Sequence, residues 1–525
     1  LGVIGPGAIL ASAGLAGCDH KKYATNKENI EFLLEGISPD SKDRILTAEG
    51  FNWELLIQYE DKLNSEDSFG FNNDFTAFFP DANDSESGLL WVNHEYVDVK
   101  FVSGRKRNEE PTKDHADKEM YNVGGSFIRI KRIDGKWTFI RDDEYNRRYT
   151  ANTRFELLWD EKIADKSEAF GTLANCAGGK TPWGTLLTCE ENYHDAFGER
   201  NWEDGSIIPG RYNWQKFYDR PPEHYGWVVE IDPETGIGHK LIALGRCAHE
   251  CATVHQLKDG RVVVYSGDDK TDECIYKFVS SEANSLKHGT LYVANLEEKK
   301  WISLSIDDQP ILKEKFSSQT EIQVRLREAA HLVGGTACDR PEDIEIDPIT
   351  GHVFIALTNN KPKDNYFGSI LKIMESNNEH DSLEFEWETF RTGGLESGFA
   401  CPDNLAFDNS GNLWITSDIS GSALNKEPYK EFGNNGLFVV PRFGLRAGEV
   451  IQIASAPVDA EFTGPSFDKE QNALFLSVQH PGEGSSEDLS ELTSHWPSGK
   501  GLPRPSVIVI SGKGLEYLTH INLPE

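Results

Sequence analysis

The chain has 525 residues, with 86 acidic residues against 53 basic ones and a formal net charge of −33. Gripping a phosphate backbone takes clustered Lys and Arg, so nucleic acid is not expected as a partner. Hydrophobic residues make up 38 %, with 47 Gly, 23 Pro and 12 Trp, a composition that suits many short strands and turns. Length alone would predict two or three domains, but a β-propeller grows by adding blades to one ring.

The chain opens with LGVIGPGAILASAGLAGCDHKK, an apolar, small-residue stretch that stops at Cys18. It is too short for a comfortable membrane span. Leu15-Ala16-Gly17-Cys18 looks like a bacterial lipobox, with a plain cleaved signal as the alternative. Residues 1–18 are therefore expected to be an export signal, 19–50 a linker or extension, and 51–525 a single catalytic propeller. A lipid on Cys18 would be the one membrane attachment of a monomeric protein that is periplasmic, outer-membrane-anchored or extracellular. Of the eight Cys, seven remain if Cys18 is lipidated, so at least one is unpaired. No CxxC spacing points to a zinc ribbon.

Six segments then rhyme along the chain: GLLWVNHEY from Gly88, GTLLTCEENYH from Gly184, GRVVVYSGDD from Gly260, GHVFIALTNN from Gly351, GNLWITSD from Gly411 and NALFLSVQHPGE from Asn472. Each leaves a turn, runs through apolar residues and ends on Cys, His, Asp, Glu or Asn. Repetition at intervals of roughly 60–100 residues predicts an all-β, six-bladed propeller with insertions. The clearest helical stretches, Ser281–Leu286 and Glu321–Leu332, are short.

In the later repeats a short alternating strand precedes the turn, making a hairpin. The start of the first strand and the end of the second then lie at the same end, opposite the turn. That pairing puts Glu250 near Asp268 and Asp269, Glu342 near Asn359 and Asn360, Asp403 near Asp418, and Glu461 near His480. First strands line a propeller's channel, so these carboxylates converge at one mouth, where they repel unless cations neutralise them. Asp and Asn after strands can be plain turn residues. That reading leaves Cys189-Glu190-Glu191 and His249-Glu250 at corresponding ends unexplained.

Carboxylates and amide oxygens suit hard cations such as Ca²⁺, whereas the thiolate of Cys189 favours iron or zinc. A mixed cluster of a transition metal and calcium is the expectation. Arg340, two residues before Glu342 and on the same face of an alternating strand, is the expected oxyanion clamp. Lys180, in NCAGGKTPWG, is a second candidate, with glycines that allow backbone approach to a ligand; the P-loop spacing is absent. No G-x-S-x-G elbow supports serine hydrolase chemistry.

NCAGGKTPWGTLLTCEENYH, LGRCAHECATV, YSGDDKTDECIYKFV, RPEDIEIDPITGHVFIALTNN, CPDNLAFDNSGNLWITSD and TGPSFDKEQNALFLSVQHPGE together resemble the PhoX family of bacterial alkaline phosphatases. The resemblance runs in order from about Gly88 to Val509. It implies a six-bladed propeller, export as a folded holoenzyme, and a cluster of iron (Fe³⁺) and calcium (Ca²⁺) at the channel mouth that hydrolyses small phosphate monoesters, and in some members diesters. By motif it puts the iron thiolate on Cys189 with Glu190, and further metal ligands on Glu250, Asp268, Asp269 and Glu342. Glu95 and Asp403 are added more weakly, and hairpin geometry adds Glu461. Arg340 is the implied substrate clamp. Cys247 and Cys401 depart from the family pattern. Two other readings stay open: a calcium-dependent propeller lactonase or esterase, and a non-catalytic surface-binding propeller.

Overall fold

Each of the six rhyming segments supplies the second strand of its own sheet: Asp84–His94, Leu186–Glu190, Val262–Gly267, Val353–Leu357, Leu413–Ser417 and Ala473–Gln479. The computed structural model describes residues 34–520, so the lipobox at Cys18 lies outside the described residues. Every one of those strands pairs antiparallel with an inner strand just before it: Asn73–Asp81, Asn175–Lys180, Thr253–Gln256, Pro341–Ile346, Pro402–Phe407 and Glu461–Phe467. The inner strands neighbour one another in a closed ring, the last against the first. Sheets of four to six strands radiate from them as six blades.

The ring is fastened by the start of the chain. Asn52–Gln58 forms the outer strand of the sixth blade, antiparallel to Ser506–Ser511, and Leu46–Thr47 forms the outer edge of the fifth, beside Ile451–Ser455. Part of the segment read as a linker is thus built into the ring. Apolar side chains fill the wedges between blades. Leu90, Val92, Ile128 and Ile130 of the first blade meet Phe475, Val507 and Val509 of the sixth. Val263, Tyr265 and Ile275 of the third meet Ile344, Val353 and Ile355 of the fourth. Removing such surface from water holds blade to blade, helped between the third and fourth blades by the backbone bridge of Lys300 with Glu384.

Two local expectations change. The stretch Glu321–Leu332 is two helices, Gln319–Val324 and Leu326–Leu332, broken at Arg325 (φ −109°, ψ 41°). Residues 281–286 form turns instead of a helix, and Asn284 sits at φ 51°, a left-handed conformation that a helix interior excludes.

Five inner strands carry a register shift near their start: between Asn73 and Thr76, Asn175 and Gly178, Pro341 and Ile344, Pro402 and Leu405, and Thr463 and Ser466. Such bulges re-aim side chains and break simple alternation. In NCAGGK the glycines serve this packing: a Cβ on Gly178 would stand 2.2 Å from the Leu187 carbonyl oxygen, and one on Gly179 would stand 2.0 Å from that of Ala252. They admit neighbouring backbone, not a ligand.

Candidate metal centre and active site

Strand pairing decides which side chains enter the channel mouth. The last bridged pairs include Asn73 with His94, Asn175 with Glu190, His249 with Asp268, and Pro402 with Ser417. On each second strand it is the next residue that lines the mouth: Glu95, Glu191, Asp269 and Asp418. From the first strands come Asp74, Cys176, Glu342, Asp403 and Glu461, and Glu250 from just ahead of the third blade's, one from each blade. Gln479 and His480 complete the exit of the sixth blade, and Glu483 stands at the rim. The resulting cleft of about 200 Å³ gathers ten carboxylates around one arginine, Arg340.

Most of these groups are buried, and several have nothing to bond to. Asp74 Oδ1, Glu191 Oε1, Glu250 Oε2 and Glu461 Oε2 have no hydrogen-bond partner. Burial pushes Asp74 up to about 7, and burial together with the Asp74 charge pushes Glu95 up to about 8. Glu191, Glu250, Glu342, Asp403 and Glu461 are raised well above the usual carboxylate range, by burial first and then by neighbouring acids. Buried anions without counter-charge cost on the order of several kcal/mol each, so the mouth is built to receive cations.

The donor atoms fall into two sets. Single atoms of Asp74, Glu95 and Cys176 lie within 4.8 Å of one another, and so do single atoms of Glu250, Glu342 and Asp403. The Cys176 thiol donates to Asp74 Oδ2 at 3.5 Å and Glu250 Oε1 at 3.3 Å, so it sits between the sets. Gln479 donates to Asp74 Oδ2 at 2.7 Å and to Glu95 Oε2 at 3.0 Å, while Thr358 donates to Glu342 Oε1 at 2.7 Å. These contacts fix some oxygens and leave others free for a ligand. The residues present therefore fit a cluster of cations with mixed softness.

Of the nine metal-ligand candidates read from the sequence, the structure brings Glu95, Glu250, Asp269, Glu342, Asp403 and Glu461 together and leaves three outside. Cys189 packs in an apolar cluster with Leu187, Val228, Leu241 and Cys247. Glu190 is fully buried against Lys240, whose Nζ donates to it at 2.7 Å, and it accepts from the backbone of Gly226 and Trp227. Asp268 receives Arg327 at 2.5 and 2.8 Å. Strand parity is the reason for the last two: each occupies the final bridged position and turns away from the mouth. Lys180 is also displaced, lining a separate cavity with Glu345, where its Nζ donates to the Phe78 carbonyl at 3.3 Å. Asp74, Cys176, Glu191, Asp418, Gln479, His480 and Glu483 line the mouth without being among the nine candidates.

Arg340 is where a clamp is wanted. It lies at φ 55° and directs Nε and Nη2 to the two oxygens of Asp269, both at 2.7 Å, with Nη2 also 2.9 Å from Glu342 Oε1. A two-point pair of this kind fixes the guanidinium plane. His480 stands opposite, its Nδ1 donating to the Asp459 carbonyl at 2.7 Å and its Nε2 3.1 Å from Glu461 Oε1.

A six-bladed ring with a cation-seeking mouth and one oriented guanidinium defines a metal-dependent propeller enzyme. The family model for the alkaline phosphatase PhoX matches residues 32–482, and the chain belongs to that family. It is accordingly a phosphatase acting on small phosphoesters. Pseudomonas fluorescens PhoX in complex with vanadate, a transition state analogue, superposes with a TM-score of 0.82 at 30% identity, covering 92% of this chain and 99% of that one. More distant are a protein of unknown function from Dyadobacter fermentans (10% identity, 89% of this chain and 100% of that one, TM-score 0.41) and a gluconolactonase from Xanthomonas campestris (11% identity, 87% and 100%, TM-score 0.30). No curated protein sequence matches the chain.

Proposed function

We propose that the chain hydrolyses phosphate monoesters at the channel mouth with iron (Fe³⁺) and calcium (Ca²⁺) together, releasing inorganic phosphate outside the cytoplasm. The observation that carries this reading is the set of buried, partnerless carboxylate oxygens gathered around the Cys176 thiol. A thiolate among carboxylates selects a transition metal, so Asp74, Glu95 and Cys176 are assigned to iron. All-oxygen Glu250, Glu342 and Asp403 suit calcium, with Glu191, Asp418 and Glu461 completing the shell. Bound there, the cations would supply positive charge to the phosphoryl oxygens and an activated oxygen nucleophile.

The chain's own residues do the rest. Asp269 holds Arg340 by its Nε and Nη2 edge, which leaves the Nη1 side to grip a non-bridging phosphoryl oxygen. His480 donates from Nδ1 to the Asp459 carbonyl, which fixes the ring so that Nε2 faces Glu461 Oε1 at the cleft wall. The thiol in the cluster and the oriented guanidinium both favour this reading over a calcium lactonase, which needs neither. Elemental analysis of the purified active protein, alongside aryl phosphate hydrolysis, tests it; stoichiometric zinc alone would overturn the iron and calcium assignment. The same reading makes the protein an exported lipoprotein anchored at Cys18, and a mature amino terminus beyond Cys18 would overturn that part.

A further inference from the structure

A second cavity, of about 300 Å³, opens beside the metal mouth and shares Glu95, Tyr96, Asn192 and Glu483 with it. Its far wall comes from the insertion of the second blade, the chain between Leu186–Glu190 and Val228–Ile231, which carries Asp195, Arg211 and Tyr212. An ester bound by its phosphoryl group at the mouth must place its alcohol somewhere adjacent, and this volume is at the small-molecule end of ligand sites.

The chemistry of the wall is specific. The Arg211 guanidinium is held by Asp195 at 2.9 Å, donates to the Tyr212 hydroxyl at 2.9 Å, and lies over the rings of Tyr212 and Tyr96 at 4.9 and 5.8 Å. Its side chain is nevertheless 56% exposed, so the plane is fixed but still accessible. Tyr96 is itself fixed by donating to Glu483 Oε1 at 3.2 Å. A guanidinium plane flanked by tyrosines is a stacking surface for a flat ring. Asp195, Glu483 and Glu95 around it accept hydrogen bonds from hydroxyls and repel a second anionic group.

We propose that this cavity is the leaving-group subsite of the phosphatase and that it selects neutral, flat-ringed, hydroxyl-bearing alcohols, namely the nucleoside of a nucleoside 5′-monophosphate. The inference rests on phosphoester hydrolysis at the mouth. Arg211 is its specificity-determining residue and has no part in the phosphoryl chemistry.

Steady-state kinetics of the metal-loaded enzyme on adenosine 5′-monophosphate and glycerol 2-phosphate test this, with calorimetric titration of adenosine alone. One stacked ring predicts a kcat/KM advantage of about tenfold for the nucleotide. Arg211→Ala should collapse that ratio to about one, chiefly through KM, and weaken adenosine binding in proportion. Arg211→Lys keeps the pair with Asp195 but loses the plane, so it should behave like Arg211→Ala; full retention of the preference by the lysine variant would overturn the stacking. Equal kcat/KM for the two esters in the wild type would overturn the subsite and leave the phosphatase standing. If no ester is hydrolysed, the reading of the mouth fails instead, and the adenosine titration decides the cavity on its own: binding lost in Arg211→Ala supports it, and no binding overturns it.

Discussion

Two buried polar clusters in this propeller are solved in opposite ways. Between the third and fourth blades, Glu375 receives Lys277 Nζ at 3.0 Å, the Tyr265 hydroxyl at 2.7 Å and Trp301 Nε1 at 3.1 Å, while the same lysine also donates to the carbonyls of His380 and Ser382. That cluster is closed: charge and hydrogen bonds balance within the chain. The mouth has ten carboxylates, one arginine and several buried oxygens with no partner at all. A chain that compensates itself in one place and withholds compensation in another marks the second place for something it does not encode. Acid count alone would not separate the two; the balance of partners does.

The largest effect should come from removing the cations that the mouth calls for. Chelation with EGTA followed by gel filtration should abolish phosphatase activity and lower Tm together, because a cation held at about a hundred times its Kd adds roughly 2.7 kcal/mol to the native state. Full activity in the cation-free protein would erase the contrast between the clusters. Cys176→Ser should likewise lose iron and activity by elemental analysis and turnover. Cys189→Ala, in apolar packing, should keep both and cost about 1 kcal/mol in denaturant unfolding. The reverse pattern would return the thiolate to Cys189.

Arg340→Ala should reduce kcat about 10²–10³-fold with metal content retained, as expected for loss of one donor to a developing oxyanion. Glu342→Ala should lose metal and turnover together. In the closed cluster, Lys277→Met strands Glu375 as a buried unpaired anion and should cost about 3–5 kcal/mol in denaturant unfolding, with the metals of the surviving folded protein unchanged.

Acid and base should act on the two regions with opposite sign, which is the finest test. Asp74 and Glu95 are raised to about 7 and about 8, so in cation-free protein their contribution is full below the ordinary carboxylate range and is lost as pH rises through 7 to 8. His380 is pushed down to about 3 by burial and then by His255 and Lys277. Its contribution is full above the ordinary histidine value near 6.5 and is lost as pH falls toward 3. Tm against pH should therefore decline on the alkaline side for cation-free protein, and calcium should cancel that decline. The acid-side decline should be shallower in His380→Gln than in the wild type.

The blades were legible because each second strand is a run of apolar residues between a turn and a polar exit, a pattern that survives insertions. The acidic mouth was legible for the same reason, since hairpin geometry alone puts Glu250, Glu342, Asp403 and Glu461 at one end. One residue of parity was not. Glu190 and Glu191, like Asp268 and Asp269, are adjacent acids, and only the final backbone bridge decides which faces the mouth. Cys176 was hidden because NCAGGK reads as a glycine loop, and Asp74 because Asn72-Asn73-Asp74 reads as a turn. Aligning the starts of the inner strands finds both, since Asp74 and Cys176 stand where the other blades carry Glu250, Glu342, Asp403 and Glu461. Local bulges re-aim these positions, and no spacing in the chain announces a bulge.

The strand Asn52–Gln58, fastened to Ser506–Ser511, carries one more consequence. The site draws one side chain from the start of each inner strand or just ahead of it, and the ring holding those six positions is clasped by segments far apart in sequence. A shortened polypeptide would carry some of these six side chains but not the closed ring that aims them at one point.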